Sequence, residues 1–321
     1  DELVYSKLFD GTVMSIGQYH YQTAGYRENN DYQQDIFSMF VNSAITPNQN
    51  LQFEYKKNDK EFGDRRQKFD PQDFSENRRE TREENSFRIG YNAKISPDSY
   101  FLTSLTHQNT LFSRDESEQV SPVGPFGPII STSNQKSDFS TRSVELQYGL
   151  KKNIYNMILG IGDYNEDEFK NNVVTITSGG ITIGGGTTLA SSSTTHSNGY
   201  FYNFFDINSI DLSLGISNDD LDISDIHINQ INGKFGLQWE IVDALQLRTA
   251  VFRTLKRSLT SNQTIEPTQV AGFNQFYDDT LGTDATNYGI ALDSKISNDL
   301  LVGFEAVQRD IDIPILNSGS V

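Results

Sequence analysis

Alternation of apolar and polar residues runs along almost the whole chain, and no other feature restricts its fold so tightly. Ile210, Leu212, Leu214 and Ile216 alternate with Asp211, Ser213, Gly215 and Ser217. A period of two places the two sets on opposite faces of an extended strand, which helix periodicity cannot do. Phe87, Ile89, Tyr91, Ala93 and Ile95 alternate in the same way with Ser86, Arg88, Gly90, Asn92 and Lys94. So do Phe235, Leu237, Trp239 and Ile241 with Lys234, Gly236, Gln238 and Glu240. Val144, Leu146, Tyr148 and Leu150 repeat the pattern, as do Tyr288, Ile290 and Leu292. The 21 Phe and 15 Tyr, against one Trp and no Cys, suit strands.

The connections between alternating runs fall into two lengths. Short polar links lie at residues 46–50, 96–99, 151–153, 206–208, 242–244 and 297–299, with the Pro, Asn, Asp and Ser of tight turns. Long polar links lie between them, at 59–83, 113–137, 165–198, 219–229 and 256–286. Short links on one side and long ones on the other predict an all-β, antiparallel transmembrane β-barrel with periplasmic turns and extracellular loops. The expected count is roughly 13 or 14 strands of about 9 to 13 residues, from residues 3–9 and 13–26 to 300–313.

Mean hydropathy is −0.52, and no stretch approaches the run of about 18 apolar residues that a transmembrane helix needs. A barrel is not excluded by this, because alternating strands average out as hydrophilic. The formal charge of −17 disfavours nucleic-acid binding, which requires a basic face. Lack of Cys removes disulfides and thiol chemistry. The start at Asp1-Glu2-Leu3 reads as a processed or excised end and residues 314–321 as a loop. The expectation is therefore a single barrel segment, 1–321, of a longer protein, with further strands beyond the C-terminal end and no separate plug or soluble domain.

Within the long links, residues 173–197 are low in complexity, and a flexible loop competes there with a hairpin turning at Ser178-Gly179-Gly180. The hairpin is favoured because Val174-Thr175-Ile176 and Ile181-Thr182-Ile183 flank a glycine turn. Gly184-Gly185-Gly186 is followed by Thr and Ser and not by a Lys-bearing helix, so it reads as a turn and not as a phosphate loop. The acidic runs 163–168 and 218–222 offer oxygen ligands for Ca²⁺, but without the spacing of a calcium loop they read as solvated loop charge. The mixed run 56–66 suits a hydrated loop or lipopolysaccharide contact.

His20, His107, His196 and His227 are scattered without metal-ligand spacing, and no catalytic constellation emerges, so neither an enzyme nor a cofactor is expected. The face opposite the apolar one carries Arg88, Lys94, Glu145, Lys234, Gln238, Glu240, Arg248, Asp293, Lys295, Glu305 and Arg309. Charges there would be costly toward lipid but natural toward a wet lumen. They hydrate the interior, and as a set they are candidates for solute selectivity.

Residues 247–315 resemble the late strands of TonB-dependent receptor barrels. Leu247, Arg248, Arg253, Thr254 and Arg257 fit a strand of the form L-R-x-x-x-x-R-T-x-x-R. Pro267 follows in the loop, then Tyr288 in the next strand and Arg309-Asp310-Ile311 at the end of its partner. The match covers about a fifth of the chain, which shows neither plug sequence nor TonB box, so energised uptake is not implied. A weaker architectural resemblance is to barrels of tetratricopeptide-repeat-linked export porins.

These readings lead to an outer-membrane pore or translocation channel for a hydrophilic solute or polymer in a bacterial cell. Its partners would be outer-membrane lipid and lipopolysaccharide, with a periplasmic domain or partner possible outside these residues, and no nucleic acid. A barrel anchor displaying loops for a surface partner is the alternative. A soluble all-β binding or carbohydrate-active protein ranks third, against the strand lengths and the sorting of loops by side.

Overall fold

The computed structural model describes residues 1–67, 70, 73–260 and 263–314. Among them there is no helix long and apolar enough to cross a membrane. Fourteen strands form one antiparallel sheet in strict sequence order: β1 (Glu2–Phe9), β2 (Thr12–Thr23), β3 (Tyr32–Thr46), β4 (Gln49–Phe62), β5 (Arg79–Ser96), β6 (Ser99–Ser121), β7 (Ile129–Lys152), β8 (Tyr155–Ser178), β9 (Ile181–Ile207), β10 (Ile210–Ile223), β11 (Ile226–Val242), β12 (Leu245–Leu255), β15 (Asp284–Lys295) and β16 (Leu301–Asp312). A two-stranded hairpin, β13 (Gln269–Val270) and β14 (Phe273–Asn274), lies within the connection from β12 to β15. Each strand pairs with its chain neighbours, so the sheet is an up-and-down meander. It is open, with β1 and β16 at its edges.

The tight turns lie where the sequence places them, on one side, between β3 and β4, β5 and β6, β7 and β8, β9 and β10, β11 and β12, and β15 and β16. The opposite side differs from expectation. Strands β6 to β9 run 23, 24, 24 and 27 residues instead of about 9 to 13. The runs 113–137, 165–198 and 219–229 are therefore mostly ladder, with turns confined to 122–128, 179–180 and 224–225. Alternation fades at residues 181–193 of β9, where both faces are exposed, while Ile and Thr still favour the extended backbone. The hairpin at 179–180 is present, both glycines having positive φ as a tight hairpin turn requires. Gly184-Gly185-Gly186 is not a turn but part of β9. The register shifts beside it, between Ile176 and Thr177 on β8, so the glycines accommodate a bulge.

The same correction applies to the charged runs. Residues 163–168 and 218–222 are strand, and their side chains divide between faces: Asp219 and Leu221 are buried, whereas Asp222 is exposed. Of the run 56–66, residues 56–62 are strand β4, with Lys57 bridging to Asp59 on one face at 2.9 Å. Parts of the links 59–83 and 256–286, and the tail from 315 onward, lie outside the described residues.

Register carries one face across all fourteen strands. Following paired residues from Glu145 leads through Ser104, Gly90 and Gln52 one way, and through Gly162, Asn198, Asp219 and Gln230 the other. The opposite face presents exposed Val144, Ile161, Leu214, Ile216, Phe235, Trp239, Val251, Ile290 and Leu292. A contiguous apolar surface of that kind loses roughly 25 cal/mol for every Å² left in water, so it is built for an apolar surrounding.

Candidate functional site

The described residues of the segment 256–283, which are 256–260 and 263–283, read from sequence as extracellular loop but pack onto the polar, inner face of the sheet. Two apolar contacts seat them. The β13–β14 hairpin places Val270, Ala271 and Phe273 against Ala250, Phe252 and Ala291, and all six are buried. Gly236 and Gly289 permit this approach. A Cβ on Gly289 would lie 2.5 Å from the Phe273 ring, and one on Gly236 would lie 2.8 Å from Ala271 Cβ. Farther along, Leu281 packs against the cluster of Leu221, Ile223 and Leu255.

Polar contacts then fasten the segment. Glu145 of β7 accepts hydrogen bonds from Thr264 Oγ1 at 2.6 Å and the Ile265 amide at 2.9 Å. Glu266 accepts from Asn198 Nδ2 at 2.9 Å, Tyr202 OH at 2.8 Å and Arg257 Nη2 at 2.7 Å. Lys234 donates to Gln275 Oε1 at 2.7 Å, and Gln275 Nε2 donates to the Pro267 carbonyl at 2.8 Å. Burial raises the stakes of each contact, because an unpaired charge at such a depth would be costly. Among the described residues Arg257 Nε and Nη1 have no hydrogen-bond partner, and the guanidinium instead lies over the rings of Tyr164 and Phe276.

Register places all eleven residues singled out from the sequence on this inner face. Four of them grip the segment. Besides Glu145 and Lys234, Arg248 bonds the Ala271 carbonyl and lies over Phe273, and Arg309 bonds Asp279 and lies over Tyr277. Asp293 and Glu305 hold Arg248 in turn, at 2.6 and 3.4 Å. Arg88 pairs with Glu54, and Gln238 with Gln246. Lys94, Glu240 and Lys295 are exposed near the tight turns, with no side-chain ion pair among the described residues.

Sequence reasoning missed Glu266, Arg257, Asn198, Tyr202 and Gln275 as one network. Asn198 and Tyr202 share a parity on β9, which is a legible signal, but nothing local says which loop returns to meet them. Three histidines have carboxylate partners on neighbouring strands: His20 with Asp35 at 2.6 Å, His196 with Asp219 at 3.0 Å and His227 with Asp222 at 2.7 Å. His107 faces the Phe87 ring. At the exposed turn 224–225, Asp220, Asp222 and His227 bring ligand atoms within 4.8 Å of one another. The carboxylates there, Asp222 foremost, raise the proton affinity of His227.

Between the segment and strands β3 to β8 lies a polar cleft of about 880 Å³, a size typical of ligand sites. Thr106, Thr110 and Ser137 line it from the sheet, Leu259, Thr260 and Gln263 from the segment.

No family model matches the sequence. No curated protein matches it. Solved structures match by fold. The ferripyoverdine receptor of the outer membrane of Pseudomonas aeruginosa, bound to ferripyoverdine, aligns over 96% of this chain and 46% of its own, at 9% identity and TM-score 0.70. The ferric citrate transporter FecA in unliganded form aligns over 91% and 45%, at 14% identity and TM-score 0.66. The ferric yersiniabactin uptake receptor FyuA from Yersinia pestis aligns over 96% and 51%, at 14% identity and TM-score 0.65. The chain thus spans about half the length of the structures it matches, and what it shares with them is the fold of part of their barrels, the architecture that the resemblance of residues 247–315 implies.

Proposed function

We propose that the chain forms part of the wall of an outer-membrane barrel through which a hydrophilic solute passes, with residues 256–283 narrowing the lumen. One observation carries this reading: a sheet apolar on one face and polar on the other, with the polar face covered by a folded-back segment of the same chain. Lipid would take the apolar face and water the polar one. The inner charges then act in two groups. Glu145, Lys234, Arg248 and Arg309 fix the constriction, while Arg88, Lys94, Gln238, Glu240, Asp293, Lys295 and Glu305 set the field a solute meets. The neighbours in fold are named as receptors and transporters of ferric complexes. That supports transport as a class and leaves the solute to the cleft.

The reading is tested with the full-length protein in planar bilayers. Ion conductance that rises when Glu266→Ala frees the segment is the expected result. A full-length barrel that stays silent at every voltage, with and without that change, overturns passage in favour of an anchor. The length of β6 to β9 would suit an anchor that holds its turns far above a membrane.

A further inference from the structure

We propose that the cleft between residues 256–283 and strands β3 to β8 is a binding site for a neutral oligosaccharide. This rests on the passage reading above and names the class of solute.

Charge is the first argument. Lining side chains include Arg88, paired with Glu54, and Glu84, which takes Lys60 at 3.5 Å, Arg82 at 2.8 Å and a hydrogen bond from Asn58. Lys56 and Lys170 are balanced in number by Glu166 and Glu168. One positive charge is left over, and it is spread over a wide surface. A multiply charged anion or cation would therefore lose its hydration without a matching field, whereas a neutral ligand would not.

The second argument is the chemistry of the uncharged lining. Phe112 and Phe139 stand on adjacent strands at diagonal positions of the inner face, because Phe112 pairs with Ser137 and Thr110 with Phe139. Both rings are half-buried and line the cleft. Between them lies Ser137, whose Oγ is buried and has no hydrogen-bond partner among the described residues. A buried hydroxyl left without a partner costs free energy that a ligand hydroxyl would recover. Thr106, Thr110 and Gln135 add further donors and acceptors around the same floor. Sugar rings have an apolar C–H face and a rim of hydroxyls, and flat aromatic surfaces beside amides, hydroxyls and paired charges match both.

The test uses the full-length protein in detergent, with maltotriose, cellotriose, xylotriose and chitotriose as neutral probes and ferric citrate as the charged one. Titration calorimetry should show saturable binding of at least one trisaccharide and none of ferric citrate. Phe112→Ala and Phe139→Ala should each weaken that binding about fivefold to tenfold, whereas Phe112→Tyr and Phe139→Tyr keep it. Heat-modifiable migration of every variant shows that the barrel has formed. The inference is overturned if no trisaccharide binds, if ferric citrate binds at this cleft instead, or if correctly assembled alanine variants bind unchanged. A barrel that conducts ions but binds no trisaccharide leaves passage standing without the sugar site. One that binds a trisaccharide but never conducts keeps the site and removes passage.

Discussion

Arg257 Nη2 donates to Glu266 Oε2 across 2.7 Å, and both side chains are almost wholly shielded from solvent although they belong to one connection and not to the sheet. The pair ties Arg257 to Glu266 within one arm, and Glu266 then joins that arm to Asn198 and Tyr202 of β9. Removing one partner of a buried pair leaves the other charge uncompensated, at about 3–5 kcal/mol. Arg257→Met should fall near the lower limit, about 3 kcal/mol, because Glu266 keeps two donors. The loss should be local. Hydrogen exchange at residues 263–277 should accelerate while the strand ladders keep their protection, and uniform acceleration across the sheet would contradict a separately docked arm.

Gly289 governs the other seat. A side chain there meets Phe273, and the rigid strand leaves the hairpin to move. Overpacking of this kind costs about 1–3 kcal/mol, so Gly289→Val should raise labelling of Val270→Cys by an impermeant thiol reagent about tenfold. An unchanged rate would mean that the hairpin is held by its polar contacts alone.

Faces one residue apart should respond oppositely to charge. Leu237 pairs with Leu212 and Thr249 on the apolar face, Gln238 with Asp211 and Arg248 on the inner one. An Arg toward the bilayer midplane costs about 2–4 kcal/mol, whereas lumen positions tolerate it. Leu237→Arg should sharply reduce the folded, heat-modifiable form, and Gln238→Arg should leave its yield unchanged. Equal yields would argue against lipid on the Leu237 side.

Asp64, in the connection between β4 and β5, supplies a pH dependence. Burial alone would raise its proton affinity, but hydrogen bonds from the Arg66 guanidinium and the Ser75 and Arg66 amides outweigh this and hold it well below the carboxylate range. A depressed folded pKa contributes stability above the unfolded value of about 3.9, and that stability is lost as pH falls through the folded pKa. Protection of the Ser75 amide from hydrogen exchange, relative to an unstructured peptide at the same pH, should therefore hold at about pH 5 and fall only in stronger acid. Asp64→Asn should remove this acid limb, and an acid response that persists in the variant would assign it elsewhere.

Much of the architecture is legible in the sequence because a period of two and a tight turn are both local. Ile210 to Ser217 declare their two faces within eight residues, and Asp98 or Asn208 marks a turn without reference to anything distant. The lengths of β8 and β9 were not legible, since Thr187, Thr188 and the serines after them read equally as loop and as ladder until the partner strand is known. The inward course of residues 256–283 was hidden for a different reason. Glu145 is an ordinary inner-face carboxylate in the sequence, and only tertiary structure reveals that Thr264 and Ile265 occupy its lone pairs.

The strict neighbour order of the fourteen strands also bears on how the molecule assembles. Every sheet contact can form between consecutive hairpins, so the search for each partner is short and can proceed along the chain. The bonds from Thr264 and Ile265 to Glu145 span 119 and 120 residues, the opposite extreme of contact order. Docking of the arm needs β7, β9, β11 and β12 already in place, so it belongs at the end of folding, as a slow step on a finished surface. An assembly intermediate with a complete sheet and an undocked arm follows directly from this topology, and it would expose the inner face before the arm closes over it.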